Sequence, residues 1–364
     1  MKVLVSAYTG LGNFILKTPM INYLSEFYSG CKIDLLCGPD WGADKVLEYS
    51  GLINNVHWLP LDFSIVEKMR RLKKLKNENY DLIILPFDST PSFLLWGSNF
   101  YFSDSRVIAH FNLYSSGSLH KIKRLFSLTL LSNVEWIPIL HGRHEIDLNL
   151  DLIDAQSYKH YTDNRNRKTI VTYDLTISMP ELPNKYIVLQ PSARNGVASP
   201  KTWSISRFQN LVVQILEQYS EYQIVLVGDT GDLNALVGHP ILDMVNVKNL
   251  IGKTDFSQLC FVLKNASAVI ANDSGIMHVA NALEAPLIAL YGPTDHTRTR
   301  PLADSSEILY SDNDCLCQCY AFKNGEDILL KKFGESYCME GIKESDVMEN
   351  IDYLIGEEHD KTRL

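Results

Sequence analysis

The stretch Val269-Ile270-Ala271-Asn272-Asp273-Ser274-Gly275-Ile276-Met277-His278 carries an apolar run into Asn-Asp-Ser-Gly and then into a helical pattern. A short apolar run without polar alternation is the signature of a parallel strand covered on both faces. Asp273 or Ser274 can cap the helix that follows, and Gly275 bares the backbone. The unpaired N–H groups of that first turn point at whatever sits above the strand end, where the helix dipole favours an anion. His278 falls about one turn further in and faces the same ligand. Physically the turn is a cradle for a diphosphate; the plainer reading is an ordinary capped helix with a core histidine.

The same grammar of strand, loop and helix extends outward. Ile187-Val188-Leu189 leads into Gln190-Pro191-Ser192-Ala193-Arg194, then a polar loop to Lys201-Thr202-Trp203 and a helix from near Ser206. A loop that leaves a strand end with a hydroxyl, an Arg and a Lys supplies donors to phosphate oxygens. Ile224-Val225-Leu226-Val227 leads into Gly228-Asp229-Thr230-Gly231-Asp232, where an acidic side chain can accept hydrogen bonds from a ribose. Strands are expected at 186–190, 223–227, 268–271 and 287–290, with helices over 206–219, 255–264 and 275–283. The first half repeats the pattern, with strands at 2–6, 32–36, 55–59 and 81–85 and helices over 18–28, 43–49 and 65–77. Such alternation means an α/β chain with two doubly wound parallel sheets in tandem, and it puts the ligand cleft at the carboxyl ends of the strands, between the halves. At 364 residues the chain exceeds what one core usually serves. The expected division is 1–165, a second domain over 166–342 after the polar segment 162–168, and a final helix in 343–364 packing back toward the first domain.

The opening turn, Tyr8-Thr9-Gly10-Leu11-Gly12-Asn13, brings backbone close to a ligand at the first strand end. A dinucleotide site would add a third glycine and an acid about 20 residues on, whereas the second strand ends Leu36-Cys37-Gly38. A nicotinamide oxidoreductase is therefore disfavoured. A formal charge of -9 opposes nonspecific binding to nucleic acid. No apolar run approaches the roughly 20 residues that span a bilayer, and no signal peptide opens the chain, so a cytoplasmic protein is expected. Seven cysteines without an export signal read as free thiols or metal ligands. Four of them, Cys315, Cys317, Cys319 and Cys338, are close enough in sequence to close a structural Zn or Fe site, or to pack a loop as reduced thiols. The basic run 69–76 and Lys121, Lys123 and Arg124 read as solvated helix faces, or as contacts to a phosphorylated glycan or a bilayer surface.

Taken together, Gly10-Leu11-Gly12-Asn13 with Thr18-Pro19, the Ser192 and Lys201 loop, Val227-Gly228-Asp229, Asn272–His278 with Ala289-Leu290-Tyr291-Gly292-Pro293-Thr294, and the segment His144-Glu145-Ile146-Asp147-Leu148-Asn149-Leu150 resemble glycosyltransferase family 9, the heptosyltransferases of lipopolysaccharide assembly. The resemblance implies a GT-B fold, two Rossmann-like domains facing across a cleft, the first for the acceptor and the second for a nucleotide sugar. It implies ADP-heptose as donor, a glycan or glycolipid acceptor, inversion at the anomeric carbon without a catalytic metal ion, no nucleic acid partner, and a cytoplasmic enzyme in peripheral contact with the inner membrane. Carried over by position, Gly12, the Ser192 loop and Lys201 approach the donor diphosphate. Asp273, Ser274, Gly275 and His278 hold phosphates and sugar, Asp232 meets the ribose, and Lys253 and Thr254 lie near the base. Iron-binding autotransporter heptosyltransferases, which carry cysteines near the same point, extend the implication to a structural metal at the cysteine cluster.

One departure bears on mechanism. The family has Asp after the second glycine as the base for the acceptor hydroxyl, and this chain has Asn13. An amide is no general base at neutral pH. Either Asn13 orients the acceptor while another carboxylate works, with Asp88 beyond the 81–85 strand as the substitute, or proton removal is late and assisted, or the chain binds a nucleotide sugar with impaired catalysis. The same fold using another donor sugar is a further alternative.

Overall fold

A computed structural model describes residues 1–38, 42–111, 130–140, 142–153, 167–179, 181–192, 201–311 and 337–361, with side-chain surroundings left aside at 337, 338 and beyond 356. The chain divides into two compact units, Met1–Tyr173 and Asp174–Leu364, so the boundary falls slightly beyond the expected 165/166. In the first unit β1 (Lys2–Ser6), β2 (Lys32–Cys37), β3 (Ile53–Trp58), β4 (Leu82–Leu85), β5 (Arg106–Phe111) and β6 (Val134–Pro138) form one sheet in the order β3-β2-β1-β4-β5-β6. In the second, β7 (Tyr186–Gln190), β8 (Gln223–Leu226), β9 (Val247–Asn249), β10 (Ala268–Asn272), β11 (Leu287–Tyr291) and β12 (Ser306–Tyr310) form another in the order β12-β11-β10-β7-β8-β9. All the pairings are parallel. Numbered from the start of each half, both sheets read 3-2-1-4-5-6, the doubly wound order. In each, the strand order reverses beside the first strand, between β1 and β4 and between β7 and β10.

The central strands are apolar because helices cover both faces of a parallel sheet. Every residue of β7, β10 and β11 is buried, whereas the edge strands β9 and β12 are half-buried. Those edges, together with β5 and β6, were not among the expected strands: β9 is three residues long, and β6 interleaves Glu135 and Trp136 with its apolar positions. The expected helix over 43–49 is instead a series of turns. Its bonds run from Lys45 N–H to the Gly42 carbonyl and from Glu48 N–H to the Lys45 carbonyl, three residues back, where a helix needs four.

The final helix, Glu344–Lys361, was expected to lie back toward the first domain. Its described apolar face, Val347, Ile351, Leu354 and Ile355, follows helical spacing and belongs to the core of the second unit. There it joins Phe208, Leu211 and Ile215 of the helix Ile205–Gln218 and the inward residues of β7, β8 and β10. Arg207 pins the start of that last helix through Glu344 at 2.7 Å.

Candidate active site

In a parallel sheet the loops leaving the carboxyl ends on either side of the order reversal diverge and leave a crevice. In the second unit that crevice is bordered by the residues after β7 and after β10. Asp273, directly after β10, is buried, and its carboxylate accepts from Lys201 Nζ at 2.8 Å. Burial pushes the Asp273 carboxyl up, but the charge and hydrogen bond of Lys201, then the Thr294 hydroxyl and His278, outweigh it and hold the group below its ordinary value. Ser274 is the N-cap of the helix Gly275–Ala282, yet neither Asp273 nor Ser274 caps it with a side chain. The expected cap is thus corrected: Asp273 is taken by Lys201, and the Ser274 hydroxyl donates to Gln190 Oε1 at 2.7 Å. A helix start without a side-chain cap beside a lysine is suited to an anion.

Asn272 lies beneath this arrangement, fully buried. Its Nδ2 donates to the carbonyls of Gln190 at 2.9 Å and Ser192 at 3.3 Å, and its Oδ1 accepts from Trp203 N–H at 2.9 Å. It was read in the sequence as part of the motif without a role of its own. Ser192 is completely buried, and its hydroxyl bears on the Asp232 carboxylate without making a hydrogen bond to any of the described residues. His278 is buried one turn into the helix, where it bears electrostatically on Asp273. The structure therefore brings Ser192, Lys201, Asp273, Ser274, Gly275 and His278 to one crevice.

Asp232 has an internal task. It is the third residue of the helix Thr230–Leu236, and its carboxylate accepts from Asp229 N–H at 2.9 Å while Asp229 returns the bond, a capping box. Burial raises its pKa, opposed by Ser192 and by the Asp229 amide. Its carboxyl backs Gly228 so closely that a Cβ there would sit 2.7 Å from Oδ2. Gly252 N–H donates to the Gly228 carbonyl at 3.0 Å, which brings the turn carrying Lys253 and Thr254 alongside. Lys253 is exposed and its ammonium donates to the Asn249 carbonyl at 2.9 Å.

The first unit has its own cluster at the β1/β4 reversal. Gly10 caps the short helix Leu11–Ile15 with an ordinary φ of -73°, and a Cβ there would meet nothing within 4 Å. Glycine is not required there by the fold, and the turn faces open space. Asn13 is exposed; Gly12 beside it is half-buried. Asp88, after β4, accepts from Lys17 Nζ at 2.6 Å and from the Thr9 hydroxyl at 3.3 Å on one oxygen, and from the Ser89 hydroxyl at 3.2 Å on the other. Lys17 is wholly buried and also donates to the Asn13 carbonyl at 3.1 Å. Sequence reasoning missed Lys17, although a lone cation in the apolar run Phe14-Ile15-Leu16-Lys17-Thr18-Pro19 was the available signal. Behind it, burial drives the His110 imidazole down to about 4, so it is neutral: Nδ1 accepts from Phe87 N–H and Nε2 donates to the Leu148 carbonyl at 2.8 Å.

Cys315, Cys317 and Cys319 lie outside the described residues, as does the side chain of Cys338, and so do Lys121, Lys123 and Arg124. Among the described residues no group of three or more His, Cys, Asp or Glu could hold a metal ion. Cys37 and Cys260 are buried free thiols, each pushed up to about 12 by burial, which makes them unreactive packing residues. No helix among the described residues is long and apolar enough to cross a membrane.

Solved structures share this architecture along nearly the whole chain. The glycosyltransferase family 9 protein from Veillonella parvula superposes with a TM-score of 0.74 at 18% identity, covering 98% of this chain and 97% of that one. The E. coli ADP-heptose lps heptosyltransferase II superposes with a TM-score of 0.69 at 20% identity, covering 99% and 100%. Two doubly wound sheets of this order are the GT-B fold. In sequence, lipopolysaccharide heptosyltransferase 2 of Salmonella typhimurium is 26% identical over 319 residues, 85% of this chain and 88% of the relative. The family model of glycosyltransferase family 9 (heptosyltransferase) matches residues 69–324, and the chain belongs to that family.

Proposed function

We propose that this glycosyltransferase moves heptose from ADP-heptose onto a hydroxyl of a bacterial surface glycan of the lipopolysaccharide type, with inversion at the anomeric carbon and without a catalytic metal. The observation that carries this reading is the Lys201–Asp273 pair, 2.8 Å apart, beside the start of the helix Gly275–Ala282. Negative charge develops on the departing nucleoside diphosphate, and a fixed ammonium with helix-start amides stabilises it more in the transition state than before. Asp273 carries the wrong sign to hold a phosphate, so its part is to aim Lys201 and to accept from sugar hydroxyls. Ser192, Ser274, Gly275 and His278 complete the donor side, with Lys253 and Thr254 toward the base. Asp232 shapes the turn that the ribose meets, and exposed Asp229 stands next to it.

On the acceptor side Asn13 orients the hydroxyl and Asp88 takes its proton, while Gly12 approaches the donor. A carboxylate has about four acceptor positions, of which Lys17, Thr9 and Ser89 use three. The enzyme works at the cytoplasmic face of the inner membrane, touching its surface through the basic helix Ile65–Leu75. Cys315, Cys317, Cys319 and Cys338 either hold a structural Zn or Fe or pack a loop as reduced thiols, and no step of the transfer runs through them. In the first case metal analysis of protein purified without added metal should find one equivalent, lost in Cys338→Ser; a metal-free wild type excludes the site.

The function is tested by binding and turnover together. ADP should raise the unfolding temperature where UDP and NAD do not. Lys201→Ala should lower kcat with ADP-heptose by about 10²–10³-fold, and Asp88→Asn by about 10²–10⁴-fold. Stabilisation by ADP without turnover on any glycan acceptor would reduce the protein to a nucleotide-sugar binder.

A further inference from the structure

Lys201 is useful to a leaving diphosphate only if it stands at one fixed place above the strand ends, since a long flexible side chain otherwise samples many rotamers. Its own ion pair with Asp273 fixes the ammonium, but the backbone that delivers it must also be held. Two residues on, Trp203 is anchored twice. Its indole is fully buried, packs edge-on against Phe208 at 5.1 Å between ring centroids, and donates through Nε1 to the Ile342 carbonyl at 3.1 Å. Its backbone N–H donates to Asn272 Oδ1 at 2.9 Å. The amide nitrogen of the same Asn272 side chain holds the carbonyls of Gln190 and Ser192. A single buried amide thus joins three chain segments: the end of β7, the turn bearing Lys201, and the end of β10 that continues into Asp273.

We infer that Asn272 is a positioning residue of the transfer reaction, setting Lys201 and Ser192 in register with Asp273 at the donor diphosphate. The chemistry of the amide is specific to this task. It offers two donors toward two carbonyls and one acceptor toward an N–H, and the reversed orientation would set oxygen against both carbonyls. A carboxylate there would repel the same carbonyls, and an aliphatic residue would leave three buried backbone groups unmatched. Ser274 braces the register from the other side through Gln190 Oε1. Asn272 has this role only if Lys201 meets the donor as proposed above.

The test is a kinetic cycle on the full chain with ADP-heptose as the donor. Asn272→Ala should lower kcat by about 10²-fold, the scale on which a displacement of about 1 Å in a catalytic group acts, while KM for the donor changes by only a few-fold. Combined with Lys201→Ala it should be at most a few-fold slower than Lys201→Ala by itself, because most of what it removes acts through Lys201 and only the remainder through Ser192. Asn272→Ser keeps one hydrogen-bonding group in place and should fall between; it carries the test if the alanine variant fails to fold. Wild-type kcat in a folded Asn272 variant, or losses that multiply in full in the double variant, would overturn the inference while leaving Lys201 in place. Wild-type kcat in Lys201→Ala would overturn it together with the donor-site reading.

Discussion

Lys201 and Asp273 illustrate how a buried charge pair can be read through pH. Because the Asp273 carboxyl is held below its ordinary value of 3.8, the unfolded chain binds its proton more tightly than the folded one. Stabilisation from the pair is then complete above the ordinary carboxylate range and is lost as pH falls through the depressed folded value. In Lys201→Met the burial that remains reverses the sign, and the carboxyl rises above its unfolded value. The variant should therefore lose about 3 kcal/mol at pH 7, and the deficit against wild type should shrink as the pH is lowered toward 4. Urea midpoints across that range check this; a deficit independent of pH would mean the pair is not what holds Asp273 ionised. At this scale the sequence exposed Asp273, Ser274 and Lys201, because a strand followed by a polar turn and a helix advertises its first turn. It hid Lys17 and the structural service of Asn272, since both depend on partners 71 and 69–82 residues distant. The capping role of Asp232 went unread for a local reason: the spacing Asp229-x-x-Asp232 serves a capping box as readily as a ribose contact.

Among the elements, the helix Ile65–Leu75 has an unusual surface for an acidic chain. Between residues 65 and 76 it carries Lys68, Arg70, Arg71, Lys73, Lys74 and Lys76 against Glu67, a local balance of six less one, or +5. Glu67 is shared by Arg70 and Arg71, each at 2.9 Å, while Lys73 and Lys74 face solvent. At its start Ile65 and Val66 are exposed, the latter by 74%, with exposed Leu61 just before them. Cations behind an apolar tip fit an anionic bilayer surface, where each lysine contributes about 1 kcal/mol. Lys73→Gln with Lys74→Gln should weaken co-sedimentation with phosphatidylglycerol vesicles about thirtyfold, with turnover on a soluble acceptor unchanged. Equal sedimentation of the two proteins would leave the run as a plain solvated face. The helix itself was legible from its period and its charges. The edge strands β9 and β12 were not, because a half-buried edge lacks the continuous apolar run that marked β7, β10 and β11.

At the scale of the molecule, the sequence pattern yielded two doubly wound units in tandem, because alternating strands and helices admit few other arrangements. The setting of the last helix could not be deduced that way: an amphipathic face says that it is buried, but not against which partner. Its residues Val347, Met348, Ile351, Leu354 and Ile355 line the second core. Burying each contributes about 1.5–3 kcal/mol, so together they rival the whole stability of a typical domain. A chain ending at Ile342 should lose the cooperative, ADP-stabilised transition of the second unit in calorimetry. A truncated protein that still shows this transition would mean the helix is dispensable.

That tail also dictates how the protein can be recombined. Exchanging the second unit between relatives calls for a cassette running from Asp174 to the C-terminus as one piece. A chimera that kept the recipient's own last helix would join an outer ridge to grooves shaped for a different one.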